Sequence, residues 1–178
     1  MKQLAYEVYQ IMHPELRDCV IAALEAAPEY FWTAPASRNH HPPDERVTGG
    51  IIKHVKRAFV LGKQLCRAHG IVGFRRELIL SAILVHDVCV QGEEDKGVGY
   101  TVGDHELLLR KYYIDYGVAQ LVDNTYWTRI LELVETHSGR WGEKRPENQM
   151  QYIVHIADYI SSRSNVIVLL DKEEEVND

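Results

Sequence analysis

Apolar residues recur at helical spacing along most of this chain, and polar or proline-rich stretches separate the runs. From Gly50 to Ala68 the positions Ile51, Val55, Ala58, Gly62 and Leu65 form one stripe, and His69-Gly70 supplies a stop. His54 lies three residues after Ile51 and four before Ala58, so it borders the core-facing stripe rather than the solvent face. From Phe74 to Val85 the pattern predicts a buried helix, because Leu78-Ile79-Leu80-Ser81-Ala82-Ile83-Leu84-Val85 is apolar nearly all the way round. Thr101 to Tyr116 predicts a helix with His105 in its first turn. Thr128 to Thr136 predicts another, ending at His137-Ser138-Gly139, where glycine can close a helix. Asn148 to Leu170 predicts the longest helix, with His155 and Asp158 sharing a face at i and i+3 while Ile153, Ile156, Ile160 and Ile167 turn to the core. Val166 to Leu170 is β-branched and suits extended chain, but its continuity with the preceding period favours helix.

Towards the N-terminus, Ala5 to Met12 and Glu15 to Ala26 read as two helices split at His13-Pro14, since proline opens a helix and restricts the residue before it. Prolines and polar residues are too dense from Thr33 to Pro43 for regular structure, and Gln91 to Gly99 is a Gly- and acid-rich loop. No strand pattern, internal repeat or dividing linker stands out. The expectation is an all-α protein with one compact helical bundle. Residues 1–34 supply N-terminal helices packing on the core, 35–170 form the main domain, and 171–178 are a solvated acidic tail. Leu4, Tyr6, Val8, Tyr9 and Ile11 carry two readings: cover for the domain's own core, or the face of a homodimer.

Composition narrows the class. With 178 residues, 46% hydrophobic and 26% charged, the chain is long enough to bury one substantial core. Neither a membrane span nor a signal-peptide core is visible, so the expected location is the cytoplasm. Three cysteines without CxxC spacing support neither a disulfide framework nor a thiolate zinc site. A formal net charge of −6 argues against coating extended duplex nucleic acid through a basic surface.

Chemistry concentrates at His86-Asp87, which ends the buried helix. A carboxylate there must be paired, hydrogen-bonded or coordinated to a cation, and an adjacent imidazole suits a transition metal. His54, His105, His137 and Asp158 stand on other segments around it. The ordered set His54, His86-Asp87, His105, His137, Asp158 resembles the HD superfamily of metal-dependent phosphohydrolases, an all-helical family named for the His-Asp doublet. The resemblance runs from about Pro35 to Arg163 and includes Gly49-Gly50-Ile51-Ile52-Lys53-His54, His137-Ser138-Gly139-Arg140-Trp141 and Ile156-Ala157-Asp158-Tyr159-Ile160.

The resemblance implies that His54, His86, Asp87 and Asp158 hold one divalent metal, with Asp87 bridging to a second held by His105 and His137. It implies a metal-activated water attacking a phosphoester or phosphoanhydride of a nucleotide or short oligonucleotide, with no organic cofactor. Imidazole and carboxylate together suit Mn, Fe, Co, Ni or Zn, and Mg also enters the range for one or two cations per chain. Two other readings stand beside it: a 3′-to-5′ exonuclease on single-stranded RNA or DNA, and a metal-stabilised regulatory or scaffold protein without turnover. Among nearby cations, Arg38, Lys53, Arg140, Lys144 and Arg163, Arg140 is the preferred phosphate group because it follows His137 by three residues. His40 and His41 line a substrate mouth or are loop histidines, and His155 supports Asp158 or sits at a helix surface. Trp141, Tyr100 and Tyr159 stack a base or pack in the core. Two departures matter. No lysine stands in the segment Val88-Cys89-Val90 directly after His86-Asp87, and Ser138 stands where several dinuclear relatives carry a second histidine, which implies a weaker second metal or a more open coordination sphere.

Overall fold

The computed structural model describes residues 2–37, 40–93 and 101–170. Among these, eight α-helices and no strand are found. They are α1 (Ala5–Val8), α2 (Pro14–Glu25), α3 (Glu29–Thr33), α4 (Gly50–Ala68), α5 (Gly73–Val85), α6 (His105–Asp115), α7 (Asn124–Val134) and α8 (Gln149–Ser161). The all-α expectation therefore holds.

Helix α5 is the hub because its last two turns have no polar face. Every residue from Leu78 to Val85 is buried, and the helix packs against α2, α4, α7 and α8. Helix α4 is more one-sided. Its stripe of Ile51, Val55, Ala58 and Cys66 faces α5 and α8, and Gly62 marks the closest approach, since a Cβ there would collide with the side chains of Ile83 and Leu80. Leu4, Val8 and Ile11 belong to the same apolar cluster, while Tyr9 and Met12 stay exposed. The three cysteines are free and buried, and burial pushes the thiols of Cys19 and Cys89 up to about 12 and that of Cys66 up to about 11. Among the described residues no helix is long and apolar enough to cross a membrane.

Local chemistry moved several boundaries. Helix α7 starts at Asn124 rather than Thr128 because Asp123 accepts the Thr125 N–H at 2.8 Å, an N-cap that opens the helix a turn early. Helix α6 begins at His105 rather than Thr101, since Asp104 adopts a left-handed conformation (φ 54°). Asn148 and Gln151 form a reciprocal capping box that starts α8. That helix ends at Ser161, not Leu170: Ser164-Asn165 turn, Val166–Leu170 run without regular structure, and Ile167 is exposed rather than core-facing. The longest helix is accordingly α4, with 19 residues. Helix α3, inside a region without clear period, is the element the sequence pattern did not suggest. Its buried Tyr30 accepts the Gln91 N–H at 3.1 Å, and its hydroxyl lies 3.0 Å from the Val88 carbonyl and 2.6 Å from that of Gly92. One phenol thus holds the turn that follows His86-Asp87.

Candidate metal centre

Six side chains from five places in the bundle converge. His54 comes from the second turn of α4, and His86 and Asp87 from the end of α5. His105 is the first residue of α6, His137 follows α7, and Asp158 sits on α8. His54, His86, Asp87 and His137 are buried, whereas His105 and Asp158 are partly open to a cavity.

Their imidazoles are oriented by acceptors behind them. His86 Nδ1 donates to the Ile83 carbonyl at 2.7 Å, His137 Nδ1 to Val134 at 2.8 Å, and His105 Nδ1 to Val102 at 3.2 Å. A carbonyl only accepts, so each of these Nδ1 atoms carries a proton, and in the neutral ring the lone pair is on Nε2. Ser161 Oγ donates to the Asp158 carbonyl at 2.8 Å, which leaves it to accept from His54 Nδ1 at 3.2 Å. All four rings therefore turn Nε2 inward. The inward nitrogens are close: His54 and His86 at 3.3 Å, His105 and His137 at 3.0 Å. Facing lone pairs at that distance need a proton or a cation between them.

Asp87 divides its oxygens between the two pairs. Its Oδ2 lies 3.5 Å from both His54 Nε2 and His86 Nε2, and its Oδ1 lies 3.7 Å from both His105 Nε2 and His137 Nε2. Asp158 Oδ1 joins the first pair, 3.0 Å from His54 and 3.6 Å from His86. The sets His54-His86-Asp87 and Asp87-His105-His137 are each compact enough to hold a metal ion.

The two halves differ electrically. Burial alone would lower the imidazole pKa of His86, but the Asp87 and Asp158 carboxylates override it and raise His86 to about 9; His54 is raised in the same way, with Asp158 and Asp87 as its partners. Burial also works against the charged form of both carboxylates. Even so, the histidines hold Asp87 below the ordinary range and Asp158 well below it. His137 is pushed down to about 4 by burial and by neighbouring His105 and His86, so its Nε2 stays an unprotonated donor.

A cavity of about 420 Å³ opens above the cluster. His40, His41 and His155 line it, so these sequence candidates do gather at its walls. His155 supports a different partner from the one expected: its Nδ1 donates to the His137 carbonyl at 2.6 Å, not to Asp158, and its ring fills the space a Cβ would need at Gly139 (φ 58°). Arg140 does not line this cavity; it is exposed, with its guanidinium 4.4 Å from the Trp141 ring centre. Arg163 lines it instead, 4.4 Å from the Tyr159 ring centre. Arg38 lies outside the described residues, as do Tyr100 and the acidic tail from residue 171.

Two carboxylates escaped the sequence reading. Glu45 is fully buried behind His54, accepts from His41 Nδ1 at 2.7 Å and pairs with Arg57. Its signal was the i, i+4 spacing from His41 in a proline-marked loop. Glu106, beside His105 and also buried, accepts from the Ser138 hydroxyl at 3.0 Å and the Glu143 N–H at 3.3 Å, clamping the segment after His137. No motif in the sequence marked it.

A family model described as the HD domain matches residues 51–163. The chain is similar to the dihydroneopterin 2′,3′-cyclic phosphate phosphodiesterase of Methanocaldococcus jannaschii, at 28% identity over 161 residues covering 88% of this chain and 59% of that protein. It therefore spans less than two thirds of that relative's length. No solved structure matches the chain.

Proposed function

The chain belongs to the HD-domain family, and from that membership we propose that it is a metal-dependent phosphohydrolase that opens or cleaves a phosphodiester of a nucleotide-like substrate. The observation that carries this reading is the division of Asp87, with Oδ2 directed to His54 and His86 and Oδ1 to His105 and His137. A carboxylate shared in this way, between imidazoles whose Nε2 atoms all face inward, suits two cations better than one. His54, His86, Asp87 and Asp158 would hold the first, and Asp87, His105 and His137 the second. The donors are nitrogen and oxygen without thiolate, which favours Mn, Fe, Co, Ni or Zn. When bound, such a pair supplies Lewis acidity to activate water and neutralise phosphate charge.

The chain's own residues do the rest. Arg163 has no carboxylate partner among the described residues; its Nε donates to the Tyr159 carbonyl at 3.2 Å and its Nη2 to Ser162 Oγ at 3.0 Å. Held so at the cavity wall, it is the cation for non-bridging phosphate oxygens, in place of the lysine missing after Asp87. Burial is the main cause that lowers the His41 pKa, and Glu45 accepts the hydrogen bond from its Nδ1–H. Its Nε2 is thereby left as an acceptor for a substrate hydroxyl. Ser138, tied to Glu106, is too short to replace a second histidine and leaves that side of the site open to substrate.

The relative named for a 2′,3′-cyclic phosphate supports a cyclic phosphodiester as the first substrate to try. Water would add to phosphorus as one ring P–O bond breaks, giving a phosphomonoester. The test is hydrolysis of 2′,3′-cyclic AMP and GMP under Mn, Fe(II), Co and Ni. Metal-dependent ring opening that is absent in a folded Asp87→Ala protein is expected. A metal-loaded protein inert on both cyclic and linear phosphodiesters would overturn the reading in favour of a scaffold.

A further inference from the structure

Beside the metal cavity lies a second depression of about 430 Å³, lined by Arg140, Arg145, Tyr152 and Ile156 and sharing Trp141, His155 and Tyr159 with the first. The shared wall is aromatic. Trp141 and Tyr159 lie nearly parallel, 14° apart with ring centres at 5.4 Å, and Trp141 is 59% exposed although it is a large apolar side chain. Arginines flank the stack, Arg163 against Tyr159 and Arg140 against Trp141.

The depression is basic on an acidic chain. The chain carries −6 overall, and Arg57, Arg110, Lys111 and Lys144 each engage a carboxylate. Arg140 and Arg145 form no ion pair among the described residues, and no carboxylate lines the second depression. Unpaired guanidinium groups beside exposed rings suit a ligand that is both anionic and aromatic.

Building on the metal-site reading above, we propose that this depression is a second phosphate subsite, and that the substrate is a short oligonucleotide carrying a phosphate one nucleoside away from the scissile one. The intervening base packs along the exposed edge of the Trp141–Tyr159 pair, whose faces are taken by each other and by Arg140 and Arg163, and Arg140 and Arg145 grip the distal phosphate. Arg140 thus acts at a distance from the metals, which accounts for its position outside their cavity. A guanidinium stacked on an indole keeps its N–H edge for such a contact.

The probes are the dinucleotides ApA and pApA, which differ by one terminal phosphate, and binding to the metal-loaded full chain is measured calorimetrically in a non-hydrolysable phosphorothioate form. Wild-type protein is expected to bind pApA at least about tenfold tighter than ApA, a step within reach of paired arginine–phosphate contacts. In R140Q/R145Q that ratio falls to near one, while in R67Q/R76Q, altered in a separate basic depression, it stays. Equal binding of the two probes to wild-type protein overturns the subsite, as does a ratio that survives R140Q/R145Q. Turnover of 2′,3′-cyclic AMP is followed in parallel. Its loss with the pApA preference intact would strike the hydrolase reading alone; its presence without the preference would strike the subsite alone.

Discussion

At the scale of single residues, the proposed metal ligands act only as the acceptors behind them orient their rings. Those proposed ligands were visible in the sequence because they fall at ends and faces of strongly periodic helices, in an ordered series of short words. The groups that orient those ligands were not visible. Ser161 is an unremarked serine until its hydroxyl is seen between the Asp158 carbonyl and His54 Nδ1. Glu45 and Glu106 look like ordinary surface acids until the fold buries them. These positions give clean tests. Ser161→Ala removes the acceptor behind His54 with little change in volume, so metal affinity in a chelator-competition titration should weaken by roughly 10–100-fold; an unchanged affinity would show that His54 needs no such support. Glu45→Gln removes the buried carboxylate shared by His41 and Arg57 and leaves Arg57 with Asp44 alone. A loss of about 1–3 kcal/mol is expected in urea unfolding, together with weaker substrate binding. Arg140 is the residue whose place sequence order misjudged: three residues after His137 is close along the chain, but the turn after that histidine carries its side chain onto the outer face of Trp141.

At the scale of elements, α4 and α5 were legible because burial imposes their period, and Gly62 could be assigned to the stripe but not to its purpose. The structure supplies that purpose in the contact with Ile83 and Leu80. Gly62→Leu should cost about 1–3 kcal/mol by overpacking, more than the helix propensity gained, and a raised melting temperature would contradict the close approach. Helix α3 was hidden because a helix of five residues, set between Pro28 and Pro35, cannot display a period. It matters nonetheless, since Tyr30 anchors the turn bearing Asp87. Tyr30→Phe removes that hydroxyl from Gln91, Val88 and Gly92, and roughly 1 kcal/mol of stability should go with it. The overextended end of α8 has an equally local cause. Ser162-Arg163-Ser164-Asn165 interrupts the apolar pattern with no glycine or proline to advertise a stop, and the side chain released at that point, Arg163, faces the cavity.

At the scale of the whole molecule, an acidic chain concentrates four inward imidazoles, a shared carboxylate and three arginines without carboxylate partners among the described residues on one side. The proposed ligands come from α4, α5, α6 and α8 and from the turn after α7, so a cation that binds the folded arrangement and not the unfolded chain would tie those elements together. Adding metal at 100 times its dissociation constant should stabilise the protein by about 2.7 kcal/mol, read as a higher melting temperature that a chelator reverses. The central claim is that Asp87 joins two cation positions, and the stoichiometry of bound metal tests it most directly. Elemental analysis of the reconstituted wild-type chain should give close to two divalent ions, falling below one in Asp87→Ala while helical content is kept. A wild-type chain that saturates at one divalent ion or fewer would contradict the account.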